Sequence, residues 1–341
     1  MPETPSGESR RKESFLLDQF TLHDIRKYVS LRDDILRMHR DFFNHLAFKR
    51  SRIMDSLKRA LLEATEQDYC FEKYQRVVKY SIAHDPLSVA GSLIDPGGRF
   101  NIGDIERSTF PIFPAVYLAE DKETALQEAL CVTKDKSNQQ SDLDFALTNP
   151  ASIAVVSVRG KLESVINLNR LELLGTFVSL IKDFDLPAEA RRISAKHKIP
   201  LDIVRDIDGL GNVLLSKNWR MWPMQFDVPA SSQVFGQLVS EAGIEGIIYP
   251  SRHNDKICLA IFPQNFRGTS SFIELEEKPL FRVGFPRLDS NTSHVVACAE
   301  VPEVDAERLK TLFPKSIIND LISSVRNLRI VRWLFGGRQD N

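Results

Sequence analysis

The sequence is poor in cysteine and lacks the spacings of common metal sites. Its 341 residues contain four cysteines at scattered positions, namely Cys70, Cys131, Cys258 and Cys298. Because no two of them form a close pair, the spacing argues against a zinc site and against a disulfide framework, and it suits a reducing cytoplasm. The seven histidines include no His-Glu-x-x-His spacing, so a helical zinc-protease motif is absent as well.

Long apolar runs and a charge excess are also missing. No apolar stretch approaches the roughly 20 residues that span a bilayer. The segment Met1–Lys12 is polar and lacks the apolar core of a secretory signal. We therefore expect a cytoplasmic protein without a membrane anchor, with export by a signal-free route left open. The formal net charge of −1 gives no overall attraction to nucleic acid or to a membrane surface.

What is present is an ordinary globular composition, 43% hydrophobic and 27% charged, which allows a sizeable core. The length indicates one large domain with appendages, or two domains. We predict three segments: a polar tail with a helical N-terminal extension at 1–73, a central domain at 74–280, and a small C-terminal helical segment at 281–341. The helical stretch Leu22 to Glu66 carries a modest excess of Lys and Arg, which fits a solvated helical face better than a nucleic-acid-binding arm.

Helix and strand signals alternate irregularly. Apolar residues recur at helical steps from Leu22 to Glu66, and further helices are predicted at 121–130, 171–184, 188–198, 231–242, 303–312 and 316–328. Strands are predicted at 116–119, 152–158, 244–249, 256–262 and 272–275. Since these elements show no regular strand–helix–strand alternation and no Gly-x-Gly-x-x-Gly follows a strand, the pattern favours an α+β fold over a Rossmann fold.

Two early segments carry candidate binding residues. In Gly97-Gly98-Arg99-Phe100-Asn101, the paired glycines let the backbone approach a ligand, and the Arg99 guanidinium can bind a pyrophosphate with two parallel hydrogen bonds. A turn with a solvated arginine is the simpler alternative. Tyr117, in a short predicted strand, can stack on a flat aromatic group, or it can be an ordinary core residue.

Two later residues complete the candidate set. On a helix, Glu128 has small or apolar neighbours three and four positions away, so its carboxylate is predicted to be half-buried. Such a group can stabilise an oxocarbenium-like centre, or it can simply bond to a neighbouring backbone or arginine. Ser251 ends a predicted strand, where a pocket or an ordinary turn can form. Although His253 is close by, no Gly-x-Ser-x-Gly elbow is present, so we reject serine hydrolysis.

Together and in this order, the segments resemble the RES-domain family, over about 74–280. Gly98-Arg99-Phe100-Asn101 is similar to the family's Gly-Arg-Trp-Asn turn, and Gly246–Ser251 is similar to its serine-bearing strand. The segments Ala115–Ala119 and Thr124–Glu128 resemble the strand and the glutamate helix between them. The resemblance implies catalytic Arg99, Glu128 and Ser251, and substrate contacts from Lys79, Tyr80, Gly98, Asn101 and Tyr117, with Tyr117 lining the nicotinamide pocket.

The resemblance also implies an ADP-ribosyltransferase-like mixed sheet with flanking helices, NAD as substrate without a metal, and a partner antitoxin or immunity protein that blocks the pocket. Three hypotheses stay open: a toxin that depletes NAD with water or phosphate as acceptor, an enzyme that transfers ADP-ribose to a protein, and a non-catalytic NAD-binding protein. The sequence departs from the family pattern at Phe100, where tryptophan is more usual, and in an insert predicted within 171–223.

Overall fold

The structure is a computed structural model that describes residues 22–79, 83–106, 108–130, 153–199, 201, 203–277 and 284–297. The chain divides into two units, Met1–Glu300 and Val301–Asn341, and the second lies outside the described residues. The predicted helices at 303–312 and 316–328 therefore also lie outside them. The predicted division at 73/74 and 280/281 stays a prediction.

Two helices open the described chain, as the apolar period predicts. Helix α1 spans Leu22–Ser51 and helix α2 spans Met54–Glu63. Helix α2 is amphipathic and buries Leu57, Ala60 and Leu61, which pack into the core beneath the sheet.

The strand that follows was missed by the sequence interpretation. Strand β1 spans Glu66–Lys79, beyond the helical region that was predicted to end at Glu66, and no strand was predicted there. Its many charged residues hide the alternation, and Asp68 and Lys73 have positive φ angles that interrupt the extended backbone. Pairing with a partner strand, including a register shift between Phe71 and Tyr74, supplies the backbone hydrogen bonds that local sequence does not reveal.

In the described residues, seven strands form one mixed sheet in the order β1-β2-β5-β4-β3-β6-β7, and β1 also pairs with β3. Only β3 and β4 run parallel among the described pairs. The sheet confirms a mixed sheet core with flanking helices, although β3 is much longer than predicted and β7 was not predicted. The remaining strands are β2 (Val116–Ala119), β3 (Ile153–Asn167), β4 (Gly246–Pro250), β5 (Ile257–Ile261), β6 (Phe272–Leu275) and β7 (Arg287–Asp289).

Most helices lie in the connections before β2, between β2 and β3, and between β3 and β4. Two helices of the predicted insert were missed, and one of them begins where the Asp206 side chain accepts a hydrogen bond from the Gly209 amide. The helices are α3 (Ala90–Leu93), α4 (Lys122–Leu130), α5 (Gly175–Ile181), α6 (Ala188–His197), α7 (Ile207–Leu214), α8 (Met221–Phe226), α9 (Ser231–Glu241) and α10 (Ser293–Ala297), with short 3₁₀ turns at Leu171–Leu174 and Pro263–Phe266.

Apolar residues on the two sides of the strands form separate clusters. One cluster, with Val116, Leu118 and Ile248, also contains Leu87, Phe266 and Val296 from outside the strands. The other, with Ala119 and Tyr249, joins the sheet to α2, α5, α7 and α9. The strand residues of the second cluster place the candidate site on the helix-covered side. Within the described ranges, no helix combines the length and apolar character needed to cross a membrane.

Candidate active site

The Gly-Gly turn is fixed by its own asparagine. Gly97 has a φ of +86°, a conformation that favours glycine. The Oδ1 atom of Asn101 accepts from the Gly98 amide at 2.8 Å, and its Nδ2 donates to the carbonyls of Ser92 at 2.7 Å and Phe113 at 3.0 Å. Asn101 is fully buried, so its side chain holds the turn in place. Its predicted contact with substrate stays a prediction.

Tyr117 packs directly against this turn. Its hydroxyl donates to Asn101 Oδ1 at 2.9 Å and accepts from the Phe100 amide at 2.9 Å. A Cβ atom on Gly98 would lie 2.4 Å from the Tyr117 ring, so the close approach of the ring requires glycine here. The sequence argument explained this glycine by approach of a ligand, whereas the structure supplies a neighbouring side chain as the reason. Burial raises the pKa of Tyr117 above its ordinary value, so the phenol stays protonated.

Helix α9 holds the turn from the other side, and the sequence interpretation missed it. The Nε2 atom of Gln233 donates to the carbonyls of Pro96, Gly98 and Asn101 at 2.7–3.1 Å. A Cβ atom on Gly236 would lie 2.0 Å from the Phe100 carbonyl oxygen, so the helix backbone abuts the turn. A glycine in the middle of a predicted helix was the available signal of such close packing.

Arg99 extends from the turn into a buried environment. Its side chain is only 7% exposed, and its Nη1 donates to the Ser216 carbonyl at 2.9 Å and the Leu214 carbonyl at 3.4 Å. Its guanidinium carbon lies 5.8 Å from the Trp219 ring centre. Burial lowers the pKa of Arg99, and the negative charge of Glu128 opposes that shift. The insert therefore packs around this arginine, which excludes the solvated-turn alternative.

Glu128 and Ser251 meet, although they are distant in the sequence. The Ser251 hydroxyl donates to Glu128 Oε1 at 2.7 Å and accepts from the His253 amide at 3.2 Å. Ser251 is buried at the end of β4, and Glu128 is half-buried on α4. The Nδ2 atom of Asn254 donates to Thr124 Oγ1 at 2.8 Å and thereby ties the turn after β4 to α4. The strand end and the helix thus fix the hydroxyl–carboxylate pair.

Three arginines act electrostatically on His253, two positions after Ser251. Burial lowers the pKa of His253, Glu128 opposes that shift, and the positive charges of Arg252, Arg99 and Arg220 reinforce it. Arg252 donates to His253 Nε2 at 3.3 Å and to the Lys217 carbonyl at 2.7 Å. The His253 ring therefore accepts a hydrogen bond from Arg252, while the Ser251 hydroxyl donates a hydrogen bond to Glu128. This arrangement is unlike a serine–histidine pair. Sequence reasoning missed Arg220 and Arg252 because no motif marks them.

Of the two substrate-binding residues predicted near the end of β1, the structure describes only Lys79. Lys79 is exposed at the end of β1, and strand alternation puts it on the same face as Val77, the helix-covered side. Tyr80 lies outside the described residues. The structure thus places Ser251 in contact with Glu128, and Arg99 interacts electrostatically with both Glu128 and Tyr117. A substrate contact from Lys79 stays a prediction. In the described ranges, no group of three or more His, Cys, Asp or Glu side chains is arranged to hold a metal ion.

A buried arginine, a carboxylate and a strand-end hydroxyl, assembled at the side of a mixed sheet, define a polar site suited to an anionic ligand. The RES domain family model matches residues 73–281, more than half of the chain. The chain therefore belongs to the RES domain family.

Similarity to individual proteins is low. A solved structure, described as the crystal structure of the M. tuberculosis MbcT-MbcA toxin-antitoxin complex, has a chain with 14% sequence identity and a TM-score of 0.33. The match covers 72% of this chain and 98% of that one. At this TM-score the likeness supports no structural argument. No curated protein matches the sequence.

Proposed function

We propose that this chain is a toxin-type enzyme with an ADP-ribosyltransferase-like fold that binds NAD and cleaves the nicotinamide–ribose bond. The observation that carries the proposal is the 2.7 Å hydrogen bond between Ser251 and Glu128, within electrostatic reach of Arg99. These are the three residues that the family resemblance selects, and membership of the RES domain family supports the same assignment.

The chemistry requires little beyond positioning and charge. When the glycosidic C–N bond breaks, its electron pair goes to the nicotinamide nitrogen, which neutralises the cationic ring, so no acid is needed to protonate the leaving group. The anomeric carbon becomes electron-poor, and the oxygen of water or phosphate then forms the new C–O bond. With water, a proton is released and the products are nicotinamide and ADP-ribose.

In this proposal, Glu128 acts directly on the reacting sugar. Its carboxylate stabilises positive charge at the anomeric carbon and accepts a hydrogen bond from a ribose hydroxyl. Ser251 acts through Glu128, because its hydroxyl proton points at Oε1 and fixes the carboxylate in one orientation. Tyr117 lines the nicotinamide end with its ring, while its hydroxyl holds the turn.

The positive groups bind the pyrophosphate. Arg99 already donates to two backbone carbonyls, so its main contribution is a fixed positive charge in a poorly solvated position. Arg220 and Arg252 are half-buried and add positive charge beside His253. The family resemblance also assigns substrate contacts to Lys79 and Tyr80.

A toxin of this kind needs a partner that controls it. The similar solved structure is described as a toxin-antitoxin complex. We propose that an antitoxin or immunity protein covers the opening of this site and that the enzyme acts on cytoplasmic NAD. Co-purification of the chain with such a partner, and recovery of NAD cleavage when the partner is removed, would test this part of the proposal.

The enzymatic proposal is tested by following NAD loss and the products with purified protein, with and without inorganic phosphate. We expect nicotinamide release by the wild type and a loss of roughly 10²- to 10³-fold in rate for Glu128→Ala, the cost of one transition-state charge contact. Glu123→Ala is the matched control, since Glu123 is exposed in the first turn of the same helix.

The products decide between the alternatives. ADP-ribose indicates a hydrolase, and a phosphorylated ADP-ribose that depends on added phosphate indicates a phosphorylase. NAD binding without turnover would contradict the proposal and favour a non-catalytic protein. Turnover that requires a protein acceptor would favour ADP-ribosyl transfer instead. Full activity in Glu128→Ala would remove that residue from the mechanism.

A further inference from the structure

An apolar cavity lies apart from the Glu128–Ser251 pair. It has a volume of about 100 Å³ and lies between the C-terminal half of α1 and helices α5, α7 and α9. Its wall is apolar except for Arg50 and Ser231, and aromatic rings supply much of it: Phe42, Phe43, Phe177, Phe184, Trp222 and Phe235. A buried apolar space of this kind favours an apolar ligand.

Arg50 gives this cavity a charge preference. It lies in the last turn of α1, is half-buried, and its guanidinium carbon lies 5.9 Å from the Phe43 ring centre. Burial lowers its pKa to about 10, and no neighbouring carboxylate counters that effect. In the described part of the chain no carboxylate pairs with Arg50, whereas the adjacent Lys49 pairs with Asp185 at 2.8 Å. A cation at the edge of an apolar cavity attracts an anion.

We propose that this cavity binds a small organic monocarboxylate, with its apolar body among the aromatic side chains and its carboxylate on Arg50. The size limits the body to a short aliphatic chain, since about 100 Å³ is less than the roughly 150 Å³ of an apolar protein cavity that holds benzene. The planar guanidinium can donate two parallel hydrogen bonds to a carboxylate, which a neutral ligand of the same shape cannot accept in that form.

This site is separate from the proposed NAD site. The two share Leu214, whose side chain lines the cavity and whose carbonyl accepts from Arg99, but none of Glu128, Ser251 and Tyr117 lines the cavity. A binding measurement without NAD therefore tests the cavity on its own, and it can succeed or fail whatever the outcome for NAD cleavage.

The test uses butyrate and its neutral analogue 1-butanol, each titrated by calorimetry into the full chain. We expect butyrate to bind the wild type at least tenfold more tightly than 1-butanol. Arg50→Met should remove this preference. Arg52→Met is the matched control and should keep it, because Arg52 is exposed, lies over the Phe48 ring at 4.5 Å and does not line the cavity.

A second variant guards against misfolding of Arg50→Met. Val213→Phe fills part of the cavity while Arg50 stays in place, and we expect it to weaken both ligands at least tenfold. Three results would each overturn the proposal: no binding of butyrate at millimolar concentrations, equal affinity for the two ligands, or unchanged butyrate affinity in Val213→Phe. Circular dichroism and thermal denaturation confirm that each variant is folded before its titration is interpreted.

Discussion

Removal of the Ser251 hydroxyl is the most informative single change to the proposed site. The hydroxyl donates to Glu128 Oε1 at 2.7 Å, and Ser251→Ala takes that bond away without adding bulk. A hydrogen bond to a charged group is worth about 1.5–3 kcal/mol. If the bond orients the carboxylate for the transition state, Ser251→Ala lowers kcat roughly 10- to 100-fold, since about 1.4 kcal/mol corresponds to a factor of ten.

A double-mutant cycle separates an indirect role of Ser251 from a direct one. In an assay of nicotinamide release, Glu128→Gln removes the charge that Ser251 orients. Adding Ser251→Ala to that variant should then cost less than about threefold, because the two residues act as a unit. The affinity for NAD, measured by titration, should change little in Ser251→Ala alone.

Additive effects of the two substitutions would refute the indirect role of Ser251. If Ser251→Ala costs as much in the Glu128→Gln background as in the wild type, the hydroxyl contacts the substrate independently of the carboxylate. Ser251 would then be a substrate-binding residue rather than a positioning residue. Ser240→Ala is the control, since Ser240 lies at the end of α9, where its hydroxyl accepts from Gln264.

Three further predictions concern the fold around the site and in α1. Gly98→Ala should lower the free energy of unfolding by about 1–3 kcal/mol, because its Cβ atom would overlap the Tyr117 ring, whereas Gly91→Ala, with open space around it, should not; urea denaturation compares them. Gln233→Met should cost about 1–3 kcal/mol in the same assay, because three carbonyls lose their donor, and unchanged stability would contradict the bracing role. Burial lowers the pKa of His39 from 6.5 to about 4. Between these pH values the unfolded chain binds more protons than the folded chain, so the free energy of unfolding decreases as the pH is lowered. From pH 8 to pH 5 this amounts to about 2 kcal/mol, and a His39→Phe variant that kept the same pH slope would argue against it.

The order of the main helices and strands was predictable because it depends on local sequence patterns. The apolar period of α1 and α2, the β-branched start of β3 and the Asp121 side chain that accepts from the Thr124 amide at 2.8 Å are all local signals, and the structure bears them out. Strand β1 was not predictable in this way, since its charged residues are stabilised by pairing with β3, about 80 positions further along the chain.

The residues of the candidate site likewise fall into two groups, those that local sequence could identify and those that it could not. Arg99, Glu128 and Ser251 could be chosen from the sequence because each lies in a short segment that resembles the family pattern. The neighbours that define their environment could not be chosen: Gln233 lies on a helix with no motif, and Arg220 lies in the insert. Their importance comes from which atoms they approach, and that depends on packing between distant segments.

The sequence by itself determined the class of fold, the family and the identity of the candidate residues, because helical period, strand alternation and short motifs are properties of neighbouring residues. Only the tertiary structure decided that Arg99 is buried against the insert, that Tyr117 fixes the Gly-Gly turn and that the Ser251 hydroxyl donates a hydrogen bond to Glu128. These contacts join residues from distant parts of the chain, and they form only when the sheet and its helices close around them.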